Sequence, residues 1–310
     1  VSETPAGFRA GFVSIIGRTN VGKSTLVNRL VGCKMAIVSE KPQTTRNRIL
    51  AVVNRDCGQM VVFDTPGIHR PDHRMNERMV QLAVRSLDLV DVVLWLVDVN
   101  ETFGPGDRRI AQLLRRAGRP ALLGINKIDS APKSLILPRI DAYRTELDFR
   151  EIIPISALTG ENVALLADRL AALLPEGPPL YPDDFLTDKP ERFFVSELVR
   201  EQILAQTQRE LPYTTAVIVE SFKEEQKFVR IHATILAERP GQKGILIGKS
   251  GARLKAIGTA ARREIEGFLG TKVVLHLFVK VRERWRENIT LLDDMGLTEI
   301  AGSDAASKAD

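Results

Sequence analysis

The sequence predicts two domains: an α/β domain on a mostly parallel six-stranded sheet, then a small α+β domain. Three observations carry this expectation. From Gly11 to about Leu174, apolar runs of strand length alternate with helix-like segments. A Pro/Gly-rich break follows, Leu174-Pro175-Glu176-Gly177-Pro178-Pro179-Leu180-Tyr181-Pro182. Beyond it the order reads helix, strand, strand, a glycine-punctuated helical region, strand.

Residues 1–8 read as a polar leader, 9–175 as the first domain, 176–190 as a linker, 191–296 as the second domain and 297–310 as a disordered tail of small polar residues. Candidate strands of the first domain are 11–16, 48–54, 58–63, 91–98, 120–126 and 152–155. Its candidate helices are 23–31, 75–87, 107–117, 133–147 and 161–173. The run Val92 to Val97 is nearly continuous in apolar residues, as a strand buried on both faces must be. Arg55-Asp56-Cys57-Gly58 is short enough to join 48–54 to 58–63 as a hairpin. The other strands are separated by helices, which gives parallel pairing and places ligands at the carboxyl ends of the strands. In the second domain, 191–210 has helical spacing, 217–220 and 228–233 read as strands, 244–268 is helical and 272–279 is the last strand.

Composition excludes several classes. The chain is 44% apolar and 27% charged, which suits globular domains. No apolar run approaches the ~18 residues of a membrane span, and Leu89 to Val99 is broken by Asp91 and Asp98. No basic-then-apolar export signal opens the sequence. Two cysteines, Cys33 and Cys57, without CxxC spacing point to a reducing cytoplasm and to neither a disulfide scaffold nor a zinc site. The net charge is +5, yet residues 239–286 alone hold 12 basic and 3 acidic residues between acidic flanks. Such a block marks a local polyanion site.

Four stretches at strand ends carry the chemistry. Gly17-Arg18-Thr19-Asn20-Val21-Gly22-Lys23-Ser24, followed by Thr25, reads G-x-x-x-x-G-K-S between a strand and a helix. Glycines let backbone N–H groups turn inward round a phosphate chain, and the helix N-terminus adds partial positive charge. Lys23 is expected on the β- and γ-phosphates and Ser24 on Mg²⁺. Asp64-Thr65-Pro66-Gly67 reads D-x-x-G, with Asp64 toward Mg²⁺ and the Gly67 N–H sensing the γ-phosphate. Asn126-Lys127-Ile128-Asp129 reads N-K-x-D; the Asp129 carboxylate can accept the paired donors of guanine, which adenine lacks. Ser156-Ala157 follows another strand, where a backbone N–H can donate to guanine O6. Together the four imply GTP and GDP as ligands.

In this order the motifs resemble the translation-factor-related GTPases. Pro42-Gln43-Thr44-Thr45-Arg46 is similar to the first switch region of the Era/TrmE branch. That resemblance implies a threonine closing on Mg²⁺ in the GTP state; Thr45 is favoured over Thr44. Lys23, Thr45, Gly67 and Asn20 are the expected catalytic set. Ile68 stands where Ras-like enzymes carry the water-orienting Gln, and an apolar side chain cannot do that work. Asn20 has two open readings: a K⁺ ligand, as in related GTPases, or a hydrogen bond to the loop or the first switch. His69 and His73 are read as switch residues rather than bases.

In the basic block, Gly248-Lys249-Ser250 does not make a second phosphate loop, because Gly244 lies one residue too close. The pattern I-G-x-x-G-x-x-L-K-x-I-G instead resembles a KH domain of the bacterial topology. The G-x-x-G turn, Gly248-Lys249-Ser250-Gly251, would admit a nucleic-acid backbone. Ile245, Ile247, Leu254 and Ile257 are candidate groove residues; Lys249, Arg253, Lys255, Arg262, Arg263 and Lys272 are candidate phosphate contacts.

A P-loop GTPase domain followed by a KH domain resembles the Era family of bacterial GTPases over roughly residues 8–296, including the segment Tyr181 to Phe193. The resemblance implies a monomeric GTP-hydrolysing switch that binds the 3′ region of 16S ribosomal RNA and assists 30S subunit maturation. It also implies a cytoplasmic place with peripheral inner-membrane association. The rival reading is an RNA-binding chaperone whose guanine-nucleotide site is only a sensor.

Overall fold

The computed structural model describes residues 7–39, 41, 43–68, 73–208 and 211–297. The expected leader at 1–6, the tail from 298, Pro42 and His69 lie outside the described residues. The first domain comprises β1 (Arg9–Ile16), α1 (Lys23–Val31), β2 (Ile49–Arg55), β3 (Gly58–Asp64), α2 (Arg74–Arg85), β4 (Val92–Asp98), α3 (Pro105–Ala117), β5 (Ala121–Asn126), α4 (Ile136–Arg144), β6 (Glu151–Pro154) and α5 (Val163–Ala172). The sheet order is β2-β3-β1-β4-β5-β6. Among the described strands of this sheet, the β2–β3 hairpin alone pairs antiparallel. Every residue of β4 is buried, because helices cover both faces of the sheet at its centre. One core holds Val13, Ile15, Leu94 and Leu96 against α1 and α5; the other holds Trp95, Val97 and Ile125 against α3 and α4.

The second domain comprises α6 (Glu191–Gln206), α7 (Leu211–Thr214), β7 (Ala216–Glu225), β8 (Phe228–Ala237), α8 (Pro240–Ile247), α9 (Ala252–Leu269), β9 (Val273–Val281) and α10 (Ile289–Asp294). Its sheet runs β7-β8-β9, with β8–β9 parallel. The strands are longer than the sequence pattern suggests: β7 runs to Glu225 although only its first half is apolar, since ladder pairing with β8 extends it. The four turns of α6 bury Val195, Leu198, Val199 and Ile203. Ile37, from the α1–β2 loop, joins this second core. Met75, Met79 and Leu82 of α2 pack with Trp285, Leu292 and Leu297. The helix after the D-x-x-G turn and the loop that carries Thr45 therefore rest on the second domain.

Candidate functional site

The four motif stretches meet at the carboxyl ends of β1, β3, β5 and β6, round a cavity of about 600 Å³ lined by Lys23, Ser24, Thr45, Gly67, Asn126 and Asp129 among others. Within the G-x-x-x-x-G-K-S loop glycine is obligatory at both of its glycine positions. Gly17 has no room for a Cβ, which would lie 2.3 Å from Leu96 O, and at Gly22 a Cβ would lie 2.3 Å from Asn126 Nδ2 at a φ of 97°. Lys23 is 6% exposed, and its Nζ donates to Arg18 O at 2.8 Å and Gly17 O at 3.3 Å. Burial lowers its pKa to about 8 against the pull of Asp64. Arg18 turns its guanidinium away to Glu101 (2.8 Å) and Asp107 (3.5 Å) on the α3 side, which leaves its backbone to the loop.

Ser24, Thr45 and Asp64 come together. Ser24 Oγ is 2.6 Å from Thr45 Oγ1 and donates to Asp64 Oδ2 at 2.8 Å, while Thr45 Oγ1 donates to the same oxygen at 3.2 Å. Asp64 is fully buried, and its Oδ1 has no hydrogen-bond partner among the described residues. Burial raises its pKa, against Lys23 and the two hydroxyls. A buried carboxylate oxygen in want of a partner beside two hydroxyls is a fit for a hard cation such as Mg²⁺. Thr44 instead donates its hydroxyl to Lys41 O at 2.7 Å. Thr65 Oγ1 donates to Ile15 O at 2.7 Å, which fixes the start of the D-x-x-G turn. Gly67 sits so close to Thr19 that a Cβ would meet its Cγ2 at 2.7 Å, and Ile68 N donates to Gly17 O at 3.1 Å. Pro66 is buried as well, and Ile68 is 3% exposed and packs inward.

Asn126 braces the base side. Its Nδ2 donates to Val21 O at 2.8 Å and its Oδ1 accepts from Ala157 N at 2.9 Å. The Ala157 N–H is thus held by Asn126 in this structure, and the Ser156 N–H by Glu161 O. Lys127 pairs with Asp98 at 2.7 Å. Asp129 is exposed on the cavity wall, as are Asn20 and Leu158.

In the second domain, Gly248 (φ 73°) begins the turn between α8 and α9; a Cβ there would lie 2.8 Å from Arg253 Cβ. Ser250 takes φ 50° and Gly251 φ 78°. Ile245 is exposed, Ile247 and Leu254 are half-buried, and Lys249, Arg253, Lys255, Arg262, Arg263 and Lys272 are exposed. Arg253 Nη1 donates to Ile245 O at 2.9 Å. Ile257 departs from its expected groove position: it is fully buried in the domain core, because the helical spacing turns it toward β-sheet residues such as Ile231.

A family model described as "50S ribosome-binding GTPase" matches residues 12–127, and one described as "KH domain" matches 210–286. A protein named GTPase Era from Geobacter metallireducens is 51% identical over 300 residues, covering 96% of this chain and 100% of that protein. GTPase Era from Staphylococcus epidermidis is 48% identical over 292 residues, 94% of this chain and 98% of the other. The chain belongs to the Era family of GTPases. The crystal structure of a point variant of Aquifex aeolicus Era bound to GDP·AlF4⁻ is similar at TM-score 0.91 and 39% identity, over 94% of this chain and 100% of that one. So is a structure of Era in complex with MgGDPNP and nucleotides 1506–1542 of 16S ribosomal RNA, again at 0.91 and 39%, with the same coverage of both chains. Those two Era structures hold GDP·AlF4⁻ and MgGDPNP respectively.

Sequence reasoning missed the residues that tie the Era nucleotide cleft to its KH domain. Asn28 holds the Thr45 loop at its root: its Oδ1 accepts from Met35 N and Ala36 N at 2.8 Å each. Arg200 of α6 donates to Thr44 O. Arg46 Nη1 donates to Thr215 O at 2.7 Å, with its guanidinium 5.9 Å from the Trp285 ring. Lys34 bridges Glu201 and Glu264 at 2.7 Å each. Arg78 of α2 pairs with Asp293 at 2.7 Å. The adjacency of Arg46 to Thr45 and the lone tryptophan after β9 were the signals available.

Proposed function

We propose that the chain is a GTP-driven RNA switch that binds the 3′ region of 16S ribosomal RNA through its KH domain and assists 30S subunit maturation. One observation supports it above the others: Thr45 meets Ser24 and Asp64 while its neighbours Thr44 and Arg46 bond the second domain. The nucleotide state that sets Thr45 thereby bears on how the KH domain is held. Lys23 and the glycine-lined backbone bind the phosphates, Asp129 accepts from guanine, and Asn126 keeps the two loops in register. Ser24, Thr45 and Asp64 would hold Mg²⁺, whose charge offsets that of the phosphates. Ile68 faces the core, so intrinsic hydrolysis is slow unless backbone groups or a cation near Asn20 place the water. The G-x-x-G turn and its exposed cations receive the RNA backbone. No described helix is long and apolar enough to cross a membrane; a cytoplasmic place with peripheral inner-membrane contact is part of this proposal. Single-turnover GTP hydrolysis with and without a 3′ fragment of 16S ribosomal RNA tests the proposal. RNA should change GTP affinity or the hydrolysis rate; if it changes neither, the nucleotide site is only a sensor.

A further inference from the structure

A second cavity, of about 330 Å³, lies apart from the nucleotide cleft and the glycine turn, where Arg46 and Asn47, the start of α6, β7 and Trp285 meet. Four cationic side chains line it, Arg46, Lys189, Arg192 and Arg200, against two carboxylates, Glu197 and Asp294. Arg200 is 2% exposed. Its Nε donates to Glu197 Oε1 at 2.8 Å and its Nη2 bonds Glu197 and Thr44 O, but its buried Nη1 has no hydrogen-bond partner among the described residues. Asn47 presents the complementary want. Its Nδ2 donates to Met295 O at 3.1 Å, while its buried Oδ1 has no donor among the described residues. Burial and the charges of Arg200 and Arg286 lower the pKa of Arg46 to about 9, against Glu197, so the cavity wall carries positive charge at a cost.

A buried donor, a buried acceptor and surplus positive charge lining one cavity fit a group that accepts, donates and is anionic. We infer that this cavity binds a phosphate group, distinct from those of the nucleotide. Phosphate oxygens suit the planar donors of a guanidinium, and a P–OH can donate to the Asn47 oxygen. The first turn of α6, at the cavity mouth with Lys189 and Arg192, adds partial positive charge. The phosphate is either free in solution or the terminal group of an RNA strand. The site stands whether or not RNA and nucleotide are coupled.

Trp285 lines this cavity, and the other tryptophan, Trp95, is buried in the first domain. The full chain is labelled with 5-fluorotryptophan and loaded with GDP and Mg²⁺, so that the nucleotide cleft is filled. Fluorine NMR then follows a titration with inorganic phosphate, with chloride at matched ionic strength as control. The Trp285 signal should shift saturably with phosphate only, and the Trp95 signal should not. The double variant Lys189→Gln/Arg192→Gln, at exposed or half-buried positions that leave the fold intact, should weaken the affinity several-fold. In a second arm, short RNA with and without a 5′-phosphate is added. A shift that needs the 5′-phosphate and is competed away by inorganic phosphate identifies a strand end as the source; a shift by inorganic phosphate alone identifies the free anion. A response that chloride reproduces, an unchanged double variant, or no saturable shift from either phosphate source would leave the cavity to water and overturn the inference.

Discussion

The roles proposed for Asp129 on the base and Lys23 on the phosphates each have their own test. Asp129→Asn exchanges an acceptor for a donor opposite the guanine 2-amino group. GTP affinity should fall by about 10²-fold while xanthosine triphosphate gains, less than a fully buried polar site reaches because Asp129 is exposed; competition binding of both nucleotides checks this, and an unchanged preference contradicts the base assignment. Lys23 titrates near 8 in the free cleft, below its ordinary 10.5. Between these values the unfolded chain holds more protons than the folded one, so the Lys23 contribution to stability rises with pH across that window. Phosphates restore the ammonium. GDP binding at pH 8.5 should therefore take up a fraction of a proton, visible in calorimetry as a dependence of the enthalpy on buffer ionisation; zero uptake would show that Lys23 is already charged. The motif residues were legible in the sequence because each role is local to a few positions at a strand end. The bracing by Asn126 was not, since it joins Val21 to Ala157 across more than a hundred residues.

At the scale of elements, the phosphate loop is a shape that glycine alone permits. Gly17→Ala would drive a methyl group into the Leu96 carbonyl, which belongs to the central strand β4 and cannot yield. Nucleotide binding should be lost and the first domain destabilised by about 1–3 kcal/mol, the usual range for overpacking, as read from denaturant melts with and without GDP. The α2 helix holds the opposite side of the switch. Met79→Ala removes a fully buried side chain from the contact with Trp285 and Leu292 and should cost about 2–5 kcal/mol where the two domains meet. Equilibrium unfolding followed by the fluorine signal of Trp285 in the 5-fluorotryptophan-labelled chain would measure it. The six strands and their helices were readable from alternation and from the apolar run of β4. The path of the described residues between Cys33 and Arg48 was not. It has no period of its own and is set by Asn28, Arg200 and the KH core that receives Ile37. For the same reason Ile257 was misplaced: an apolar residue beside a glycine turn reads alike whether it faces the groove or the core.

For the whole molecule, the two domains are joined less by the segment 176–190 than by the switches themselves. The Thr45 loop bonds α6 and Thr215 O just before β7, and α2 packs on α10 and Leu297. A ligand that favours one arrangement of the loop alters the affinity of a KH-domain ligand to the extent that the second ligand also distinguishes the two arrangements, and the converse holds by the same factor. Substitution of Arg200 by Gln should reduce that factor by severing α6 from Thr44, while leaving the nucleotide contacts in place. The most direct test is the equilibrium affinity of the full chain for a 3′ fragment of 16S ribosomal RNA, measured with a non-hydrolysable GTP analogue and with GDP, both with Mg²⁺. The account predicts a difference of roughly 5- to 150-fold, the range of typical coupling energies, that shrinks in Arg200→Gln. Equal affinities in the two nucleotide states would contradict it.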